Sequence, residues 1–242
     1  RRDNLYKARI KILVKAEGQR YIDEVEAEYR RILDQDGAPH RISDDVLAQH
    51  SAHFVPPALT CNRSDAEEKV ARILRAAAED DVEFGRWLQT NVTAHQNPDF
   101  RAVTLSFKRI GQAPGDATAD QLDAAADLAD QYSAGELRIT HEQNLVLPWV
   151  RCDQLPELWR AARKLGVARP NIGLVSDIIA CPGGDYCDLA NARSLPLAAA
   201  ILERFQDLDE LNDLGEIDLH ISGCINSCGH HHSGHIGILG VD

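Results

Sequence analysis

Two cysteine pairs carry the chemistry that this sequence offers most directly, Cys181-Pro-Gly-Gly-Asp-Tyr-Cys187 and Cys224-Ile-Asn-Ser-Cys228, separated by a helix-sized segment. Thiolates are soft ligands that suit zinc and iron–sulfur clusters, and four of them satisfy either one tetrahedral ion or a cubane with one ligand per iron. Structural zinc favours pairs roughly two to four residues apart, whereas the interval between Cys181 and Cys187 spreads the first pair beyond a compact zinc knuckle. Spacing therefore favours a cluster. A structural zinc domain stays open as an alternative, as does a non-catalytic iron–sulfur electron carrier. A disulfide framework is the weaker reading, because the chain is large and apolar enough to fold without staples.

Glycines 183, 184, 223 and 229 flank these cysteines. Without a Cβ they let backbone amides approach cluster sulfurs, and as ordinary turn glycines they would mean nothing more. Cys61 and Cys152 have no partner at ligand spacing and read as free thiols. His230, His231, His232 and His235 follow Cys228 closely and read as hydrogen-bonding residues around the centre more than as metal ligands. Arg138 and Thr140 share one face of a strand by the period of two, facing either an anionic group or solvent.

The elements that must position these residues follow from hydrophobic period. Ile22, Val25, Tyr29 and Ile32 form a helical stripe over residues 19–33, preceded by the segment Lys7 to Val14 and ending near Gly37. From Pro39 to Asn62 the pattern loses its period, which predicts a connection between two structural units. Ser64-Asp-Ala-Glu67 has the form of a capping box, and Val70, Ile73, Leu74 and Ala77 predict a helix over about 65–79. Val103, Leu105 and Phe107 alternate with Thr104, Ser106 and Lys108 in a half-buried strand, and Leu122, Ala125, Ala126, Ala129 and Tyr132 give the next helix. Leu137 and Ile139, a turn at His141 to Asn144, and Leu145 and Leu147 make a hairpin. A helix through Leu155, Leu158, Trp159 and Ala162 and a strand at Ile178 to Ala180 complete the order of a ferredoxin-like α+β unit. A helix from Ser194, carrying Leu197, Ile201, Leu202 and Phe205, separates the two cysteine loops, and Ile236 to Val241 reads as a buried strand.

Composition narrows the function classes. The formal net charge of −12, with no block of Lys or Arg to offset it, argues against nucleic acid and anionic membrane surfaces as partners. No stretch approaches the roughly 18–20 apolar residues of a membrane span, and the expected location is the cytoplasm. The opening Arg1-Arg2-Asp3 without an initiator Met, and the abrupt end after an apolar run, lead to the expectation of an excised piece of a longer protein.

The two-part motif, in Ala-Cys181-Pro-Gly-Gly-Asp-Tyr-Cys187-Asp and Ser-Gly-Cys224-Ile-Asn-Ser-Cys228-Gly-His-His-His, resembles the siroheme-containing nitrite and sulfite reductases. Arg138-Ile-Thr140-His-Glu-Gln143-Asn144 is similar to that family's Arg-x-Thr-x-x-Gln-Asn signature, and Asn4 to Val14 also looks familial. The resemblance implies an α+β fold: a ferredoxin-like repeat plus a [4Fe-4S]/siroheme domain. It implies three segments: residues 1–55 as the tail of a preceding siroheme-type domain and linker, 56–166 as a helical segment and the ferredoxin-like repeat, and 167–242 as a truncated [4Fe-4S]/siroheme-binding domain.

It further implies that Cys181, Cys187, Cys224 and Cys228 hold a [4Fe-4S] cluster. Cys228 is then also the catalytic thiolate that bridges to the siroheme iron, while Arg138, Thr140, Gln143, Asn144 and Asn226 contact the macrocycle. Electrons would arrive singly at the cluster and reduce sulfite to sulfide, or nitrite to ammonia, in six steps. The Gly-His-His-His sequence after Cys228 resembles bacterial sulfite reductases, which puts sulfite first. The donor would be a ferredoxin or a flavoprotein reductase. The anion-binding cations of the family come largely from its other repeat, so Lys108 and Arg109 are not assigned that role, and the piece alone is expected to be inactive.

Overall fold

The computed structural model describes residues 10–37, 41–53, 57 and 63–241, with the backbone alone of residues 63–70 and 73. It divides into two units, Arg1–Pro56 and Pro57–Asp242. Cys61 and the segment Lys7 to Arg9 lie outside the described residues.

The first unit is helical: α1 (Ile10–Glu17), α2 (Gln19–Asp36) and α3 (Asp44–Ser51). Helix α2 ends where Gly37 adopts the left-handed conformation (φ 65°), as the sequence predicts. Its stripe of Ile22, Val25 and Tyr29 is exposed within this unit. Helix α3 lies in the stretch read as an aperiodic connection. Its signal is a cap instead of a stripe: the Ser43 hydroxyl accepts from the Val46 amide, and Asp44 and Asp45 fill the first turn.

The second unit begins with α4 (Arg63–Asp80) and α5 (Val82–Thr90). Ser64 sits inside α4 instead of capping it, and the side chains of the expected box lie outside the described set. Asp81 caps α5 through the Phe84 amide, and its other carboxylate oxygen accepts from Trp159 Nε1. Four strands follow: β1 (Val92–Ala94), β2 (Phe100–Leu105), β3 (Arg138–Ile139) and β4 (Leu145–Arg151), interleaved with α6 (Ala119–Tyr132) and α7 (Leu155–Lys164). They form one antiparallel sheet in the order β1-β2-β4-β3, with a register irregularity between Arg101 and Val103. The ferredoxin-like unit is present, but its fourth strand is Val92–Ala94, not Ile178 to Ala180.

One apolar core joins this sheet to the helices. Phe84 and Trp87 of α5, Leu128 and Tyr132 of α6, and Leu158 and Trp159 of α7 meet Val103, Leu105, Leu147 and Val150. The Trp87 and Trp159 rings lie 5.4 Å apart between centroids. On α6 the buried residues are Ala125, Leu128, Ala129 and Tyr132, whereas Leu122 and Ala126 face out. The stripe thus falls on the i, i+3, i+4, i+7 set that includes Leu128. Strand β2 also ends before the expected alternation does. Ser106, Phe107 and Lys108 are all buried, because the chain there passes beneath the segment whose Val167 carbonyl accepts the Ser106 amide.

Strand β5 (Ile179–Ala180) belongs to a second, parallel sheet with β6 (Leu219–Ser222) and β7 (Ile236–Leu239), in the order β5-β6-β7. Helices α8 (Leu195–Arg204) and α9 (Leu208–Leu214) cross between them, and Ile178, Ala198, Leu202, Leu211, Leu219 and Ile221 form their core. The expected buried strand at Ile236 is an edge strand instead, with Ile236 43% exposed.

Leu128→Ala is expected to lower stability by roughly 2–5 kcal/mol through cavity formation, and Leu122→Ala by less than about 1 kcal/mol. Denaturant unfolding followed by tryptophan fluorescence checks this, and equal losses would contradict an α6 register that buries Leu128 and exposes Leu122.

Candidate metal centre

Strands β5 and β6 are parallel neighbours, so the loops that leave them start at the same end of the sheet. Cys181 follows β5 directly, and Cys224 follows β6 after Gly223. The Cys181 amide donates to the Ile221 carbonyl at 3.1 Å, and the Gly223 amide donates to Cys181 Sγ at 3.1 Å. Cys187 closes its own turn by donating its amide to the Gly183 carbonyl at 2.9 Å. Both the Asn191 and Ala192 amides donate to the Gly223 carbonyl, tying the first cysteine loop to the base of the second.

Gly229, next to Cys228, lies flat on β6: a Cβ there would stand 1.9 Å from the Ile221 carbonyl oxygen and 3.2 Å from the Cys181 amide nitrogen. That glycine is required by packing of loop on strand. Of the glycines near the cysteines, Gly223 is the one whose amide reaches a sulfur.

Cys224 is buried, Cys181 and Cys187 are half-buried, and Cys228 is exposed. The five described cysteines are all free thiols, which overturns the disulfide reading for them. Among the described residues no three His, Cys, Asp or Glu side chains are grouped to hold a single metal ion. The donor set fits an iron–sulfur cluster in kind: four soft thiolates on two interlocked loops, with an amide already aimed at one sulfur. Cys152 stands apart, its Sγ 3.5 Å from the Pro98 carbonyl oxygen and its thiol pushed up by burial.

The hairpin turn between β3 and β4 grips the segment that leads into Cys181. Gln143, in the left-handed region at φ 60°, donates from Nε2 to the Ala180 carbonyl at 2.9 Å and accepts the Ala180 amide on Oε1 at 3.1 Å. Asn144 is 2% exposed; it accepts the Phe107 amide at 3.0 Å and donates to Asp177 Oδ1 at 2.9 Å. The Gly173 amide donates to the other Asp177 oxygen. Lys108, fully buried, donates from Nζ to the Glu142 carbonyl at 2.7 Å. Burial pulls the Lys108 amine down to about 8 against the opposing pull of Asp177 and Glu142. Burial likewise pushes the Asp177 carboxyl up, opposed by Lys108.

These bonds engage both carboxamides within the protein. Lys108 and Asp177 were missed as members of the site. The available signal was Asp177 itself, a carboxylate inside the apolar run Leu174 to Ala180, which needs a buried partner.

Arg138 is paired with Glu136 at 2.6 Å, and the Thr140 hydroxyl accepts the Asn144 amide at 3.2 Å. Asn226 is half-buried between Cys224 and Cys228. The next residue, Ser227, has φ 65°, and its hydroxyl meets His231 Nδ1 at 3.0 Å and His232 Nδ1 at 2.7 Å. His220 Nδ1 meets the His230 carbonyl, and His235 Nδ1 accepts the Asp218 amide. The described histidine contacts thus brace the Cys228 loop from behind.

Residues 94–165 match the model of the nitrite/sulfite reductase ferredoxin-like half domain. The chain is 32% identical over 137 residues to a ferredoxin–nitrite reductase of Synechococcus elongatus, covering 57% of this chain and 26% of that protein. It is 31% identical over 144 residues to a sulfite reductase [ferredoxin] of Mycolicibacterium paratuberculosis, covering 57% of this chain and 26% of that protein. The solved structure of the Mycobacterium tuberculosis NirA protein superposes with a TM-score of 0.54 at 23% identity, over 94% of this chain and 34% of that one. The likeness of fold thus extends beyond the segment matched by the half-domain model.

The depressed Lys108 amine has a consequence for stability. Between about pH 8 and the ordinary lysine value of about 10.4 the unfolded chain holds a proton that the folded state has released, so this group makes stability rise with pH across that window. Lys108→Met is expected to flatten that rise relative to wild type in thermal melts taken across the window. An identical pH profile in the variant would contradict the burial of the charge.

Proposed function

The chain belongs to the nitrite/sulfite reductase family, and from that premise we propose that Cys181, Cys187, Cys224 and Cys228 hold a [4Fe-4S] cluster beside a siroheme in an enzyme that reduces sulfite or nitrite by six electrons. The observation that carries the reading is the interlocking of the two cysteine loops at one end of the β5–β6 pair, with the Gly223 amide on Cys181 Sγ. The wide interval between Cys181 and Cys187 suits a cubane, each iron with its own ligand, better than one tetrahedral zinc.

When bound, the siroheme would supply an iron for the anion and the cluster would supply electrons one at a time. This chain's own residues then have separable tasks. Cys228, the exposed thiol of the four, would be the ligand that serves both groups. The Gly223 N–H donates to Cys181 Sγ and would stabilise negative charge on that sulfur. Ser227, held by His231 and His232, fixes the turn that presents Cys228. Asn226, between two of these cysteines, would contact the macrocycle. Arg138 serves a siroheme carboxylate by sharing a guanidinium that also pairs with Glu136, and Thr140 supports the same turn through Asn144.

The chain spans about a quarter of the length of these two curated relatives. The cations that neutralise the bound anion are assigned to the remainder of the enzyme. Sulfite is the first reading of the substrate, on the Gly-His-His-His sequence after Cys228. Nitrite is the second, favoured by the ferredoxin–nitrite reductase of Synechococcus elongatus among the relatives. The names of both relatives favour ferredoxin as the electron donor.

In the intact protein, Cys228→Ser is expected to abolish reduction of both anions and to remove magnetic coupling between cluster and siroheme, because a serine oxygen does not replace a soft bridging thiolate. Steady-state rates with a chemical reductant, sulfite and nitrite check this together with EPR, and normal turnover in the variant would overturn the assignment.

A further inference from the structure

Resting on the cluster reading, we propose that Gln143 is a positioning residue of the metal centre: its carboxamide closes the free edge of β5 and so fixes Cys181 in ligating register. In a strand the N–H and C=O of one residue point to the same side, and those of the next residue point to the other. The Cys181 amide is turned toward β6, where it meets the Ile221 carbonyl. The Ala180 amide and carbonyl are therefore turned away from β6, toward a side on which the sheet has no strand. Ala180 is 2% exposed, so leaving that pair unmatched would cost the desolvation of both groups. Gln143 supplies an acceptor and a donor to one residue at once, at 3.1 and 2.9 Å, as a neighbouring strand would.

The surroundings hold the carboxamide in place. The Gln143 amide donates to the Thr140 carbonyl, and Asn144 fastens the next residue to Phe107 and Asp177. Gly115 makes room from the other side: it has φ 83°, and a Cβ there would stand 2.6 Å from Gln143 Cβ. The clamp thus ties the ferredoxin-like unit to the residue that precedes the first ligand. Its effect reaches the centre through Cys181 Sγ, whose bond from the Gly223 amide favours the more negative, reduced cluster. Loosening Ala180 weakens that bond and lowers the reduction potential.

The test compares wild type, Gln143→Ala and Gln143→Glu in the intact protein by hydrogen-exchange protection of the Ala180 amide, and wild type with Gln143→Ala by the midpoint potential of the cluster from EPR-monitored titration. Gln143→Ala is expected to lower Ala180 protection about tenfold and to make the potential more negative. Leu128→Ala, a variant in the core of the ferredoxin-like unit and not in the core that holds Ala180, is expected to leave the potential unchanged. Gln143→Glu, which serves alone if the alanine variant does not fold, is expected to keep wild-type protection near about pH 5, where a protonated carboxyl restores the donor, and to lose it near about pH 8. Unchanged Ala180 protection in Gln143→Ala, or pH-independent protection in Gln143→Glu, would overturn the clamp. Lost protection with an unchanged potential would overturn its link to Cys181. Wild-type protein without a cluster would instead overturn the reading on which the proposal rests, and the exchange measurement would still decide the clamp.

Discussion

A strand with a neighbour on one side only leaves half of its backbone hydrogen bonds to be matched by something else, and β5, which delivers Cys181, is such a strand. The match comes from a turn in another sheet. Gln143 takes both backbone groups of Ala180, and Asn144 takes the Phe107 amide and the Asp177 carboxylate. Lys108 sits fully buried under the same turn, so a cation and an anion share a low-dielectric site, each opposing the shift that burial imposes on the other. Such a network tolerates few alternatives, because any slip of the hairpin leaves several buried polar groups unmatched together.

The cysteine loops depend on a different kind of constraint, close approach of backbone to backbone. Gly229 lies against the Ile221 carbonyl, and the Gly223 carbonyl receives two amides from the first loop. The two loops that carry the cysteines are thereby tied together at one end of a sheet. Cys228 is exposed, Cys181 and Cys187 are half-buried and Cys224 is buried, so the four thiols differ in their access to solvent.

The cysteine spacing and the hairpin were legible in the sequence because both are local patterns: thiols a few residues apart, and alternation across a short turn. The fourth strand of the ferredoxin-like sheet was not, since Val92–Ala94 is three residues long and carries no period, while Ile178 to Ala180 is apolar enough to stand in for it. Helix α3 has a cap but no apolar stripe, so a reading by period passed over it. On α6 an alanine-rich run let two registers fit, and Leu128 decides between them only once the sheet is in place. The partners of Gln143 and Asn144 lie 37 and 33 residues away along the chain, beyond the reach of any local pattern. Their bonds within the fold were therefore not legible in the sequence.

Whether four thiolates hold one cluster beside a tetrapyrrole is tested most directly by metal and pigment analysis of the intact protein purified without oxygen. The expected result is iron and acid-labile sulfide in the proportions of a [4Fe-4S] cluster plus one additional iron, a Soret band, and loss of the sulfide in Cys224→Ser. Zinc in place of iron, or full iron and sulfide retained in that variant, would contradict it.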